Sequence, residues 1–387
     1  LDVVITGIGL SCSLGSRSLR AALARSSGWQ NLLAGKSGIA LHQPFPELEP
    51  LPLGLIGKKP AQLTDLTEIL VAEALEDAGL IAPLPNCAVV IGSSRGPQAA
   101  WEKLATLAGN NKNGNISQLD SWLETLPNRA AIVAARQIGT TGAVLAPMAA
   151  CATGIWSIAR GFELIRTGEY QRVIAGAVET PVTRLTLAGF DRIGALAKTG
   201  CYPFDKHREG LVLAEGGAIF VLESAELALS RGASIYGKIL SFGITCDADR
   251  VSAPDKTGKS AISAIDLCLQ RAGLVPADID YIHAHGTSTI LNDEHEAKII
   301  QHLFPDGVPV SSTKGATGHT LGASGAIGTA FCLMAIREQI LPPCVGLRES
   351  QFDLDLVVSP RFAPIRRVLC FSFGFGGQNA VLGIGSL

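Results

Sequence analysis

An α/β fold built from two similar halves is predicted by three features of this chain. Buried strands alternate with helices almost throughout. A short stretch of the first half returns in the second. The composition, 387 residues with 47% hydrophobic, 17% charged and 43 glycines, calls for a large core and many tight turns.

The elements follow in order. Residues 1–9 are an apolar run ending in glycine, as a buried strand would be. Residues 67–79 carry Ile69, Leu70, Ala74 and Leu75 at helical spacing. A strand over 87–92 comes next. Residues 144–149 lead into a helix from about residue 151 to 167, with Gly168 as its stop. Strands over 172–177 and 217–222 complete the first half, and this alternation argues for α/β layers.

The repeat joins Ala-Leu-Glu-Asp-Ala-Gly-Leu at 74–80 to Cys-Leu-Gln-Arg-Ala-Gly-Leu at 268–274. In each case a proline-bearing loop follows, then a strand ending at a glycine. The expected division is 1–230, an N-terminal half with the nucleophile, and 231–387, a C-terminal half with two histidines. Residues 95–140 have no counterpart and are expected to be an insertion over one end of the site, or a subunit contact.

Composition also excludes functions. A net charge of −2 gives no sign of a nucleic-acid surface. No uninterrupted apolar run reaches the roughly 18 residues of a spanning helix. Nine cysteines are scattered without a C-x-x-C or C-x-x-H pair, so no metal cage is expected, and they read as reduced thiols. The expected location is the cytoplasm, or an organelle stroma if a leader preceded Leu1.

Cys151 is the centre of the chemistry, in Ala-Pro-Met-Ala-Ala-Cys-Ala-Thr-Gly, where a strand turns into a helix. A thiol is a strong nucleophile only as thiolate, and a helix N-terminus favours that form by roughly 0.3–2 kcal/mol. A small buried hydrophobe is the competing reading for a lone cysteine. His285 in Ala-His-Gly-Thr-Ser-Thr and His319 in Thr-Lys-Gly-Ala-Thr-Gly-His sit in glycine-bearing loops and could handle protons or donate to an oxyanion. Lys314 and Glu296 form a candidate ion pair, with two solvated charges as the even alternative. The run Phe-Ser-Phe-Gly-Phe-Gly-Gly-Gln-Asn at 371–379 lets backbone N–H groups approach a ligand, or is a buried hairpin.

With these residues in view, the chain resembles the elongating β-ketoacyl-acyl carrier protein synthases of the type I/II class, in the thiolase-like superfamily. The likeness runs from Val-Ile-Thr-Gly-Ile-Gly through Ala-Cys-Ala-Thr-Gly, Pro-Phe-Asp-Lys-His-Arg-Glu-Gly, His-Gly-Thr-Ser-Thr and Ser-Ser-Thr-Lys-Gly-Ala-Thr-Gly-His to Ser-Phe-Gly-Phe-Gly-Gly-Gln-Asn. It implies a duplicated thiolase fold of five layers, α/β/α/β/α, and a homodimer. It implies an acyltransferase that condenses an acyl chain on Cys151 with malonyl-acyl carrier protein in fatty-acid biosynthesis. His285 and His319 match the decarboxylation pair, Lys314 and Glu296 their charged support. Phe375 matches a gate whose N–H joins that of Cys151 in an oxyanion hole. Thr287, Thr289 and Ser252 match positions that hold the phosphopantetheine arm. No metal or redox cofactor is implied; the partner is acyl carrier protein.

Three departures bear on substrate and partner. The loop between Arg192 and Tyr202 is a few residues short. The segment 62–70 lacks the basic residues that dock a carrier protein, leaving Lys58, Lys59, Lys206 and Arg208 for that task. Trp101 is either a subunit contact, the favoured reading, or a bulk that shortens the acyl pocket. A polyketide or specialised-lipid ketosynthase and a non-catalytic chain-length partner remain alternatives. A thiolase or starter-type synthase is disfavoured by His319 and Lys314 together.

Overall fold

A computed structural model describes residues 1–16, 27–110 and 119–387. The first half contributes β1 (Val3–Cys12), α1 (Leu63–Asp77), β2 (Ala88–Gly92), α2 (Gln98–Asn110), α3 (Arg129–Ile138), β3 (Val144–Leu145), α4 (Thr153–Arg166), β4 (Arg172–Glu179), α5 (Arg184–Arg192) and β5 (Gly216–Ser224). The second contributes β6 (Gly237–Cys246), α6 (Lys259–Ala272), β7 (Tyr281–His283), α7 (Ile290–Leu303), β8 (Pro309–Ser311), the single turn α8 (Lys314–Thr317), α9 (Ser324–Glu338), β9 (Arg367–Gly374) and β10 (Gln378–Gly385).

The two halves share one strand order. The first runs β3-β2-β4-β5-β1, the second β8-β7-β9-β10-β6. In each, the first two pairs of this order are parallel (β2 with β3 and β4; β7 with β8 and β9) and the last two antiparallel. The edges β1 and β6 meet over three residue pairs, Val3 with Ile239 to Ile5 with Gly237.

Strand alternation sorts the core into layers, because successive side chains leave opposite faces. From β4, Ile174 and Val178 join the helices α1 and α3 in one cluster. Val173, Ala175 and Ala177 face the other way, into a central core with α4 and α9. That core is closed from the far side by Val368, Cys370, Leu382 and Ile384 of the second sheet. The outer face of the second sheet carries α6 and α7, with Ile282, Leu369 and Val381 beneath them. The result is the five-layered α/β/α/β/α arrangement of a duplicated thiolase fold.

The repeat seen in the sequence lies at equivalent places. Residues 74–80 end α1 and 268–274 end α6, and Gly79 and Gly273 close these helices with φ of 65° and 66°. Helix α1 begins at Leu63, four residues before the predicted start, and β1 extends to Cys12 rather than Gly9. The predicted insertion over 95–140 is shorter than expected. Helix α3 stands between β2 and β3 as α7 stands between β7 and β8, so 129–138 belong to the repeated frame. Residues 111–118 of that region lie outside the described residues.

Each half presses its first helix onto its first strand at a glycine. A Cβ on Gly9 would stand 2.0 Å from the Leu70 carbonyl oxygen; one on Gly243 would stand 1.8 Å from that of Ala264. The atoms in the way are backbone, so the helix itself must move. Gly243→Ala is expected to destabilise by about 1–3 kcal/mol, the range of overpacking. Thermal unfolding should register it as a lower Tm, and an unchanged Tm would mean that α6 can shift at no cost.

Candidate active site

The site is built where both halves end their central layer. Cys151 lies two residues ahead of α4, after Ala150, whose φ of 47° is in the left-handed region that non-glycine residues seldom visit. The Thr153 hydroxyl secures this turn by donating to Ala150 O (2.7 Å) and accepting from Ala149 N–H (2.9 Å). From the opposite half, the Ser372 hydroxyl on β9 donates to Cys151 O at 2.8 Å. The Phe375 N–H, at the tip of the β9–β10 hairpin, points at the Cys151 thiol.

His285 lies two residues after the end of β7. The Glu296 carboxylate on α7 accepts the N–H groups of His285 (2.6 Å) and Gly286 (2.7 Å). The Lys314 ammonium donates to His285 O and lies 3.3 Å from His285 Nδ1. Lys314 and Glu296 therefore both bind the His285 backbone, one at its carbonyl and one at its N–H, and do not form the direct ion pair expected from the sequence. His319 leaves α8 to pair with the first half: its N–H donates to Val212 O at 2.7 Å.

The Cys151 Sγ and one ring nitrogen from each histidine all lie within 4.8 Å of one another. The imidazoles are 5.3 Å apart at 80°. Hydrogen bonding sets their protons. His319 Nδ1 accepts the Leu321 N–H at 3.2 Å, and a backbone N–H can only donate. His285 Nδ1 faces an ammonium, also a pure donor. Each ring therefore carries its proton on Nε2, the nitrogen left for a substrate.

Burial governs the electrostatics. Both histidines are driven well below their ordinary pKa, first by desolvation and then by the Lys314 charge, so both are neutral. Burial likewise lowers Lys314 and raises Glu296 to about 7. Cys151 is pushed up to about 11 by burial; Lys314, the Phe375 N–H and Arg95 oppose this without overcoming it. Cys151 thus rests as a thiol rather than the thiolate that a helix N-terminus alone would favour.

A cavity of about 370 Å³ opens onto these three groups. Thr287, Thr289 and Ser252 line it, with the two threonine hydroxyls 2.8 Å apart. Phe375, partly exposed, stacks on Phe190 with centroids 6.0 Å apart, and the Arg95 guanidinium lies over Phe190 at 5.6 Å.

Other sequence-predicted positions fall elsewhere. Trp101 is half exposed on α2 and does not line the cavity. Arg208 is buried, donating to Asp205 O (3.0 Å) and Ile290 O (3.2 Å) and stacking on Phe352, so it is not a docking cation. Lys206 is engaged with Glu349. Lys58 and Lys59 are exposed. Sequence reasoning missed Ser324, whose hydroxyl is 2.8 Å from His319 Nδ1, and Glu179, a buried carboxylate beside the site. The signal for Glu179 was an acidic residue ending an otherwise apolar strand.

Comparison with known proteins agrees with this geometry. The β-ketoacyl synthase N-terminal domain matches residues 60–228 and the C-terminal domain residues 236–348. The chain belongs to the β-ketoacyl synthase family. It is 33% identical to 3-oxoacyl-acyl-carrier-protein synthase 2 of Mycobacterium tuberculosis, over 99% of this chain and 97% of that protein. Nodulation protein E of Rhizobium meliloti is 33% identical, over 98% of each. A solved ketosynthase, in complex with its type II PKS acyl-carrier protein and bound to the hexaketide, superposes with a TM-score of 0.92 at 26% identity, covering 100% of this chain and 99% of that one.

The raised Cys151 pKa has a direct readout. Alkylation of Cys151 by iodoacetamide, followed on its own peptide, should quicken about tenfold per pH unit from about pH 7 to about pH 10. A plateau near neutral pH would mean that the thiolate is already formed.

Proposed function

We propose that this chain is a β-ketoacyl-acyl carrier protein synthase in which Cys151 holds the acyl group and the two histidines activate malonyl thioester. The observation that carries the reading is the convergence of one thiol with two neutral imidazoles that both present Nε2–H to one cavity.

The steps balance. Cys151 Sγ attacks the acyl thioester of a carrier protein; the Cys151 proton ends on the departing phosphopantetheine thiol. The N–H groups of Cys151 and Phe375 receive the oxyanion, each such donor being worth about 2.7–4 kcal/mol. Malonyl thioester then places its carbonyl oxygen against the Nε2–H of His285 and His319. Loss of CO2 leaves an enolate whose carbon attacks the acyl carbonyl, forming the β-ketoacyl thioester. The Cys151 thiolate is released and takes up one proton. Two hydrogen bonds from neutral donors stabilise the enolate without giving it a proton, which suits a carbanion that must react with carbon.

These steps need neither a metal nor a redox cofactor. Thr287, Thr289 and Ser252 are placed to receive the phosphopantetheine arm. The partners in this reading are acyl- and malonyl-loaded carrier protein and a second copy of the chain. The division near residue 230 separates the nucleophile half from the histidine half. Among the described residues no helix is long and apolar enough to cross a membrane; the cytoplasm, or an organelle stroma, is the proposed location. The match to a hexaketide-bound ketosynthase supports a second reading, a synthase of specialised acyl chains.

Intact-protein mass spectrometry after mixing with acyl-carrier proteins of graded length should give an acyl adduct on the wild type and none on Cys151→Ala. The preferred length separates the two readings; no adduct at any length would favour a non-catalytic role. His319→Ala and Lys314→Ala should still acylate, yet lose malonyl decarboxylation by about 10²–10⁴-fold. Equal loss of both half-reactions would contradict the assigned roles.

A further inference from the structure

The end of β4 carries a buried acid that the reaction above does not use. Glu179 is fully buried and accepts five hydrogen bonds. Oε1 takes the Ser93 hydroxyl (2.7 Å) and the Arg95 N–H (3.1 Å). Oε2 takes the Ser94 N–H (2.7 Å), the Ser94 hydroxyl (2.6 Å) and the Gly322 N–H (3.1 Å). Three of these are backbone N–H groups, and the Ser93 oxygen already accepts from Gly96 N–H, which leaves its own proton to give. The ionised carboxylate is the form that satisfies all five donors.

The Gly322 bond crosses between the halves, from β4 of the first to the turn between His319 and α9 of the second. Leu321, immediately before it, is held at φ 45°. Such a conformation costs of order 1–3 kcal/mol in a non-glycine residue and persists only where its neighbours impose it. It is this strained residue whose N–H meets His319 Nδ1. The tautomer depends on that contact. The other partner of Nδ1, the Ser324 hydroxyl, can donate or accept, so by itself it would tolerate a proton on either nitrogen. The turn also has little freedom to relax around Glu179, because a Cβ on Gly322 would stand 2.6 Å from Glu179 Oε2 and 2.9 Å from Ser94 N.

We infer that Glu179 is a positioning residue: by anchoring Gly322 it holds Leu321 in its strained turn, and so keeps the His319 proton on Nε2, facing the malonyl carbonyl. This rests on the condensing reaction proposed above for its kinetic consequence, though not for its structural one. Glu179 touches no reacting atom; it acts across the half-to-half boundary on the protonation pattern of a residue that does. Acylation of Cys151 draws on the Cys151 and Phe375 N–H groups instead; the Glu179 charge acts on it only by raising the thiol pKa, so loss of that charge should not slow acylation.

The test is nitrogen NMR of histidine-labelled protein together with the two half-reactions, in Glu179→Ala and Glu179→Gln. The Gln variant keeps the shape, loses the charge and turns an N–H against at least one backbone N–H. It serves if the Ala variant fails to fold. In the wild type, His319 should show a pyridine-like Nδ1 and a pyrrole-like Nε2. In a folded variant, both tautomers should appear, and malonyl decarboxylation should fall at least about tenfold, with reversed imidazole tautomers known to cost far more. Cys151 acylation should not slow. A folded variant that keeps the wild-type tautomer would overturn the inference, whatever its rates. If the wild type itself fails to decarboxylate malonyl thioester, the proposed reaction falls, and the tautomer comparison still decides the role of Glu179.

Discussion

The close approach of α4 and α9 is the constraint on which the site depends. A Cβ on Gly154 would lie 2.6 Å from Ala326 N, and one on Gly325 would lie 2.7 Å from the Ile155 side chain. Each helix thus offers a glycine to the first turn of the other. No larger residue would let two N-termini come so near within a close-packed core. Cys151 precedes one of these termini and His319 the other, so the contact that closes the central layer also brings the thiol and the imidazole together. The loop bearing His285 joins them because β7 occupies, in its sheet, the place of β2 in the other.

Much of this was legible in the sequence, and the reason is local. Apolar runs ending in glycine marked the strands, the repeated Ala-Gly-Leu helix ends marked the duplication, and Cys151, His285 and His319 stood in small, glycine-bearing surroundings. What was not legible depends on contacts distant in sequence. The role of Lys314 could be guessed as an ion pair with Glu296, but only the fold shows that both clasp His285 instead. Arg208 looked like an exposed cation; its fork is spent on backbone carbonyls and Phe352. Ser324 and Glu179 gave little sign of their partners, 5 and 143 residues away respectively at His319 and Gly322.

The site is also one in which burial works against charge. Two imidazoles, a thiol and an ammonium share a dry pocket, and desolvation is the first cause of every large shift among them. The charges that persist are tied to backbone: Lys314 to the His285 carbonyl, Glu296 to two successive N–H groups. Such anchoring keeps the groups fixed while charge develops on the substrate, which is where preorganised donors act most strongly.

Counting back from the helix starts, Thr153 and Ser324, pairs Leu321 with Ala150 and Gly322 with Cys151. The correspondence reaches the backbone: φ is 47° at Ala150 and 45° at Leu321. The second half therefore retains a nucleophile turn without a nucleophile. Its amide at Gly322, the counterpart of the Cys151 N–H, donates to the carboxyl of Glu179. The two halves thus carry the same turn with different contents. One holds the Cys151 thiol beside an open cavity. The other holds a buried carboxyl group, and is part of the scaffold around the first.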